Sequence, residues 1–326
     1  MSKWCWTVSA PRPSLRSWVA TDPARYRAAL MLSLDQVRGF VTVAEEGHFG
    51  RAAARLQITQ PPLSRQIQKL EREVGVRLLE RTQRGVVLTP AGRVFLAEAQ
   101  RLLALAQAAP DTARRVAAGE LGTVRIGFTA VSGFWVLGQI LNQLEAALPS
   151  VELVLNEMVS SAQIDDLRSG RLDLALARPP TDATEFNSRL VHQEPLVVAL
   201  PAAHPLAAEP GPLSVAGLAG AALLRYSPDQ ARYFADLTGR VLAPVAYTST
   251  HYLTQIHTMV GLVAAGRGVA LVPSSATHLK LDGVRFRPLA EHADYPVELH
   301  AVWRRAAVNP ALLSIVALLD RLRLDA

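Results

Sequence analysis

Between residues 34 and 44 the apolar side chains fall at Leu34, Val37, Phe40, Val41 and Ala44, the three- and four-residue spacing of one helix face. A smaller apolar set, Ala52, Ala53 and Leu56, predicts a short second helix that Ile58-Thr59 interrupts. Leu63, Ile67 and Leu70 then recur at i, i+4 and i+7, which places them on one buried stripe and turns Gln60, Ser64, Arg65, Gln68 and Lys69 outward. Thr59 stands where an N-cap would, and Pro61-Pro62 occupy the first turn, where a missing N–H costs little. Arg77 to Thr89 then reads as two short strands with a turn near Arg84-Gly85. Three helices and a basic hairpin predict a winged helix-turn-helix.

From Pro90 to about Ala118 the chain is rich in Ala and Leu, and Val94, Phe95, Leu102, Leu103, Leu105 and Ala106 fit one side of a long helix. Pro110 lacks the N–H a helix interior needs, at a cost of about 3 kcal/mol, so a break or kink is expected near Ala109. Beyond the Gly119–Gly122 connector the period switches between strand and helix. Strands are expected at 124–128, 151–155 and 172–177, with helices at 134–148 and 164–169 between them, an order that implies a parallel sheet with right-handed crossovers. A second set has strands near 196–200, 222–226, 244–248 and 268–273 and helices near 229–238 and 254–265. A strand at 297–303 and an amphipathic helix at 310–322 close the chain.

A chain of 326 residues implies two or three domains, and 50% apolar content is ample for their cores. No run of 18 apolar residues suggests a membrane span. The net charge of +6 is uneven: residues 31–90 hold nine Lys and Arg against six acids, residues 120–326 sixteen against nineteen. That asymmetry fits a chain that meets a polyanion at one end only. The modest excess over 31–90 gives weak, salt-sensitive binding from a single copy, so tight binding calls for two. Cys5 is the only cysteine, which excludes a disulfide framework or a multi-thiolate metal site and points to a reducing compartment.

Outward Arg, Gln, Ser and Lys on the third helix carry the chemistry for reading bases and holding phosphate, while the plain alternative is an ordinary solvated face. The enzyme reading has little to stand on. No HExxH, GxSxG or Walker-type run occurs, and the eight His show no pair at helical ligand spacing. Gly266-Arg267-Gly268 lacks a third glycine and follows a helix, so it reads as a C-cap turn. Residues 1–30 have no apolar core of a secretory signal. They read as a disordered extension or as the product of an upstream start, with Met31 as the usual beginning and a DNA-gripping basic arm as the alternative.

The runs QPPLSRQIQKLE, GVRLLER and LTPAG stand in order within residues 60–92, and together with the preceding helices they resemble the amino-terminal part of LysR-type transcriptional regulators. The resemblance extends with weaker motifs to about residue 322. His48 and Gly50 depart from it, standing where the family often has hydroxyl residues, and a weaker cap there would cost about 1 kcal/mol. The resemblance implies an all-α winged helix-turn-helix over 31–89, a linker and dimerisation helix over 90–119, and an α/β effector region of two Rossmann-like lobes similar to periplasmic binding proteins. The first lobe is expected over 120–194 and 297–326, the second over 195–296, with crossings near Gln193–Val197 and Ala293–Glu298.

By the same resemblance, Thr59, Gln60, Pro61, Pro62, Ser64, Arg65, Gln68 and Lys69 of the third helix and Arg81, Thr82 and Arg84 of the wing are the expected DNA-binding residues. Ligands of doubly wound sheets bind beyond the carboxyl ends of strands, which selects Thr129, Ser132, Ser160, Ser161 and Arg178 on the first lobe and Arg225 and Ser227 on the second. Ser132 has the alternative of merely capping a helix, and Arg178 of closing a salt bridge between lobes. Arg with hydroxyls and helix N–H groups suits a carboxylate. The expected partners are double-stranded DNA, a small-molecule effector and a second or fourth copy of the chain, with RNA polymerase as a further possibility. No cofactor, metal or membrane is expected, and the compartment is the cytoplasm. Two rival readings are a solute-binding protein and a repressor whose lobes serve only assembly.

Overall fold

The computed structural model describes residues 32–321 except 84, 134, 180–181, 291–295 and 320, and except the side chain of Thr250. The expectations for residues 1–30 and for Arg84 lie outside the described residues. The chain divides into two compact units, Met1–Asp111 and Thr112–Ala326.

In the first unit, α1 (Leu34–Glu46) starts at a capping box: Asp35 N–H donates to Ser33 Oγ at 3.3 Å, and Ser33 N–H donates to Gln36 Oε1 at 2.9 Å. After Gly47, α2 (Phe49–Arg55) and α3 (Gln60–Val74) follow. Their apolar stripes meet in one core of Val37, Phe40, Val43, Ala52, Leu63, Ile67, Leu70 and Leu78, all nearly inaccessible to water. The helices approach closely because α1 carries Gly39 at the crossing, where a Cβ would lie 2.9 Å from Leu63 Cδ1. Strands β1 (Leu79–Thr82) and β2 (Gly85–Leu88) form the antiparallel wing. Gly85 takes φ +136° there, and a Cβ on it would sit 2.5 Å from the Gly47 carbonyl oxygen, which accepts a 2.8 Å hydrogen bond from Val86 N–H.

Helix α4 (Pro90–Ala117) runs 28 residues through Pro110, so of the break or kink expected near Ala109 the break is corrected. Pro110 is exposed, and water can serve the carbonyl that its ring leaves without an N–H partner. The surrounding Ala, Leu, Gln and Arg are strong helix formers.

In the second unit, β3 (Gly122–Phe128), β4 (Val151–Glu157) and β5 (Leu174–Ala177) pair in parallel. They are connected through a single helical turn α5 (Ala130–Gly133), α6 (Val136–Ala147) and α7 (Ser160–Ser169). Strand β6 (Phe186–Glu194) ends two residues before β7 (Leu196–Pro201), which opens a second sheet. That second lobe holds β8 (Ala222–Tyr226), α8 (Arg232–Leu242), β9 (Thr248–Leu253), α9 (Ile256–Ala264), β10 (Ala270–Pro273) and β11 (Val284–Pro288). Strand β12 (Val297–Arg304) returns to the first sheet, and α10 (Pro310–Leu319) packs on its core.

The first sheet has the order β4-β3-β5-β12-β6, with β12 antiparallel to both neighbours. In the second lobe β7 lies between β10 and β11, antiparallel to each, while β8 and β9 pair in parallel. The expected parallel pairing of β3, β4 and β5 is present, and β8–β9 is parallel too, whereas β7 and β12, the strands that follow the crossings between lobes, run antiparallel to their neighbours. Strands β6 and β11 escaped the sequence pattern: FNSRLVHQE lacks a clean period of two, and VRFRP alternates over only four residues before a proline. The polar stretch TSTHYL placed β9 four residues later than expected.

Candidate functional site

Helix α3 buries Leu63, Ile67 and Leu70 and leaves Thr59, Gln60, Pro61, Arg65, Gln68 and Lys69 exposed, with Pro62 and Ser64 half-buried. Among the described residues, no hydrogen bond or ion pair engages the Arg65 guanidinium or the Gln60 and Gln68 amides. Lys69 Nζ lies 3.7 Å from Glu73 Oε1, an exposed pair. Thr59 is the N-cap, as expected, with the extended backbone of that position, although its hydroxyl makes no cap hydrogen bond; Pro61 in the first turn needs no cap partner for its missing N–H. On the wing, the Arg81 guanidinium stacks 4.9 Å from the Phe49 ring centroid, and the Thr82 hydroxyl donates to Gly85 O at 3.2 Å.

Two positioning side chains escaped the sequence reading. Glu71 Oε1 accepts the N–H groups of Leu78 and Leu79 at 2.8 and 3.0 Å and so ties α3 to the start of the wing. His48 is the N-cap of α2, its Nδ1 accepting from Gly50 N–H at 2.9 Å and Arg51 N–H at 3.4 Å. Where a weaker cap was expected, an imidazole nitrogen does the work of the hydroxyl oxygen.

The second unit contains a cavity of about 760 Å³ between its lobes. Thr129 beyond β3, Ser160 and Ser161 opening α7, and Arg178 beyond β5 line the first-lobe side. The opposite wall comes from Asp229 to Phe234 at the start of α8 and from Thr254 to Ile256 at the start of α9. No side chain caps the first turn of α7, α8 or α9, so three helix amino termini border one cavity.

Arg178 is 4% exposed, yet it lies on that lining. Its Nη1 donates to Glu298 O at 2.5 Å and its Nη2 lies 3.9 Å from Glu194 Oε1, while the guanidinium stands 5.4 Å from the Phe234 centroid. Its Nε has no partner among the described residues. Burial lowers the guanidinium pKa from its ordinary value, and Glu194 opposes that shift. Glu194 in turn accepts from Ser274 Oγ, Ser275 N–H and Ser275 Oγ at 3.1, 2.6 and 3.1 Å, so the buried carboxylate is fully supplied with donors. The Arg178 backbone N–H donates to Ser160 Oγ at 3.2 Å.

Three expected ligand residues lie elsewhere. Ser132 is buried within α5, and its hydroxyl donates to Thr129 O at 2.7 Å, so it braces the turn and neither caps α6 nor lines the cavity. Arg225 is held by the hydroxyl and ring of Tyr247. Ser227 accepts from Gln230 N–H at 3.3 Å and so shapes the turn into α8. The second-lobe wall instead begins two residues beyond Ser227, at Asp229, a shift that tertiary structure alone reveals.

Residues 34–93 match the model of the bacterial regulatory helix-turn-helix protein, lysR family, and residues 117–323 match that of the LysR substrate binding domain. The chain belongs to the LysR family of transcriptional regulators. It is accordingly a DNA-binding regulator with a substrate-binding domain, and not an enzyme. IlvR of Caulobacter vibrioides is 39% identical over 296 residues, which cover 88% of this LysR-type chain and 97% of the relative. A crystal structure of full-length CbnR with its target DNA superposes with a TM-score of 0.78 at 26% identity, covering 89% of this chain and 99% of CbnR. The BenM effector binding domain with its effector benzoate gives a TM-score of 0.54 at 25% identity, over 61% of this chain and 91% of that one. Among the described residues of this LysR-type chain, no helix is long and apolar enough to cross a membrane, and no group of three or more His, Cys, Asp or Glu could hold a metal ion.

Proposed function

We propose that this regulator reads a two-fold related operator with α3, laying Gln60, Ser64, Arg65, Gln68 and Lys69 against a duplex while Arg81 and Thr82 of the wing approach the backbone. Thr59, Pro61 and Pro62 hold the helix start against the phosphates. The observation that carries this reading is the uncommitted Arg65 guanidinium on the exposed edge of α3, whose opposite edge is locked in the core by Leu63, Ile67 and Leu70. An arginine so presented can bridge guanine O6 and N7, worth about 1–3 kcal/mol of discrimination. Two copies paired through α4, as a homodimer or homotetramer in the cytoplasm, supply the second half-site, because one head alone carries too little charge for tight binding.

The regulatory ligand of the cavity is a small carboxylate. Three uncapped helix termini and the free Arg178 Nε offer donors to an anion, with Thr129, Ser160 and Ser161 beside them. Val131, Met158, Ile164, Phe234 and Ile256 offer an apolar surface to its body. The bound carboxylate biases the arrangement of the linker helices and so the spacing of the DNA-reading heads. The test of the DNA reading is a titration with duplexes selected from a random pool by the native protein. Arg65→Ala loses the preference for selected over scrambled duplex by about tenfold or more, and an unchanged preference contradicts the assignment.

A further inference from the structure

The cavity that would take a carboxylate also carries unpaired carboxylates of its own. Glu157 closes β4 on the first lobe and Asp229 precedes α8 on the second, and both line the same cavity. Neither has a hydrogen-bond or ion-pair partner among the described residues, whereas the third acid of the lining, Asp236, is paired with Arg232 at 3.7 Å. Two exposed like charges on the lining of one concave site add their fields, which favours a cation between them. At the same site, buried Arg178 presents Nε without a partner, a donor that asks for an anion. Glu157 precedes Ser160, the first residue of uncapped α7, by only three positions, so the acid and the anion-favouring helix terminus belong to one loop.

Resting on the carboxylate reading above, we propose that the effector is a zwitterion, an amino acid with an apolar side chain. Its carboxylate goes to Arg178 and the α7 terminus, and its ammonium to Glu157 and Asp229. A dianion fits poorly, because its second charge would meet the acids of the lining. Val131, Ile164, Phe234 and Ile256 take the apolar side chain.

The experiment is calorimetric titration of the full chain with L-leucine and L-phenylalanine against their des-amino counterparts, 4-methylpentanoate and 3-phenylpropanoate, with succinate as the dianion. The expected result is that one amino acid binds about fivefold or more tighter than its des-amino counterpart, the range of exposed ion pairs acting together. Glu157→Gln with Asp229→Asn removes that preference, while 4-methylpentanoate or 3-phenylpropanoate still binds, as tightly as before or tighter, because two repelling charges are gone. Both positions are exposed, so the variant's thermal midpoint reports whether folding is intact. If the des-amino acids bind as well as the amino acids, or the preference survives the double variant, the zwitterion is overturned while the carboxylate reading stands. If none of the five compounds binds, both readings fall.

Discussion

Arg65 and Arg178 are the same residue type in opposite settings. Arg65 is exposed on α3, without a partner among the described residues, and is positioned by the other edge of its helix, which is packed in the core. Arg178 is 4% exposed and held by Glu298 O, Glu194 and the ring of Phe234, with its Nε left without a partner among the described residues. A duplex brings its own dense charge to a protein surface, so a reading residue serves best uncommitted and hydrated. A small ligand brings one charge into a cavity, and the protein must build the site beforehand, at the cost of burying a guanidinium. On the proposed function, the two regions separate specificity carried on a surface from specificity built into a core.

Breaking the scaffold under the surface should have the largest effect. Leu63 is fully buried against Gly39, and Leu63→Ala should cost about 4 kcal/mol, read in urea denaturation, with DNA binding lost along with the fold of the head. Breaking the buried arginine comes next. Arg178→Ala should cost about 3 kcal/mol, at the low end for a broken buried pair because Glu194 keeps its three donors from Ser274 and Ser275. The same variant should bind no carboxylate in calorimetry while retaining its operator preference. His48→Ala removes an N-cap and should lower stability by about 1 kcal/mol, with Asn at that position restoring most of it in thermal denaturation. Lys69→Ala should leave stability unchanged, since its pairing with Glu73 is exposed. Binding of selected and scrambled duplexes should weaken alike, and the slope of log affinity against log salt should drop by about 1.

The same contrast explains what could be read from the sequence. The stripe of Leu63, Ile67 and Leu70 announced α3 from its first residue, Gln60, because a helix on a surface has a polar and an apolar edge in strict period. The wing turn at Gly85 was equally legible. Strand ends gave Thr129, Ser160, Ser161 and Arg178, since each parallel strand of the first lobe delivers its next residues to the same edge of the sheet. On the second lobe that logic failed. Arg225 and Ser227 follow β8 directly, but Tyr247 takes the first and the turn into α8 takes the second, so the wall is made by Asp229 to Phe234. Glu194 and its serine donors were invisible because they lie some eighty positions apart in sequence. His48 was misread because a cap was sought among hydroxyls, although any acceptor at the right place serves.

Fluorescence anisotropy tests the separation most directly, with Arg65→Ala and Arg178→Lys titrated on selected and scrambled duplexes, each with and without a carboxylate that binds the native protein. The account predicts that Arg65→Ala loses the ratio between the two duplexes yet still binds the ligand, whereas Arg178→Lys keeps the ratio and loses the response to ligand. An Arg65→Ala protein that discriminates as the native chain does, or an Arg178→Lys protein that responds to ligand as the native chain does, would contradict it.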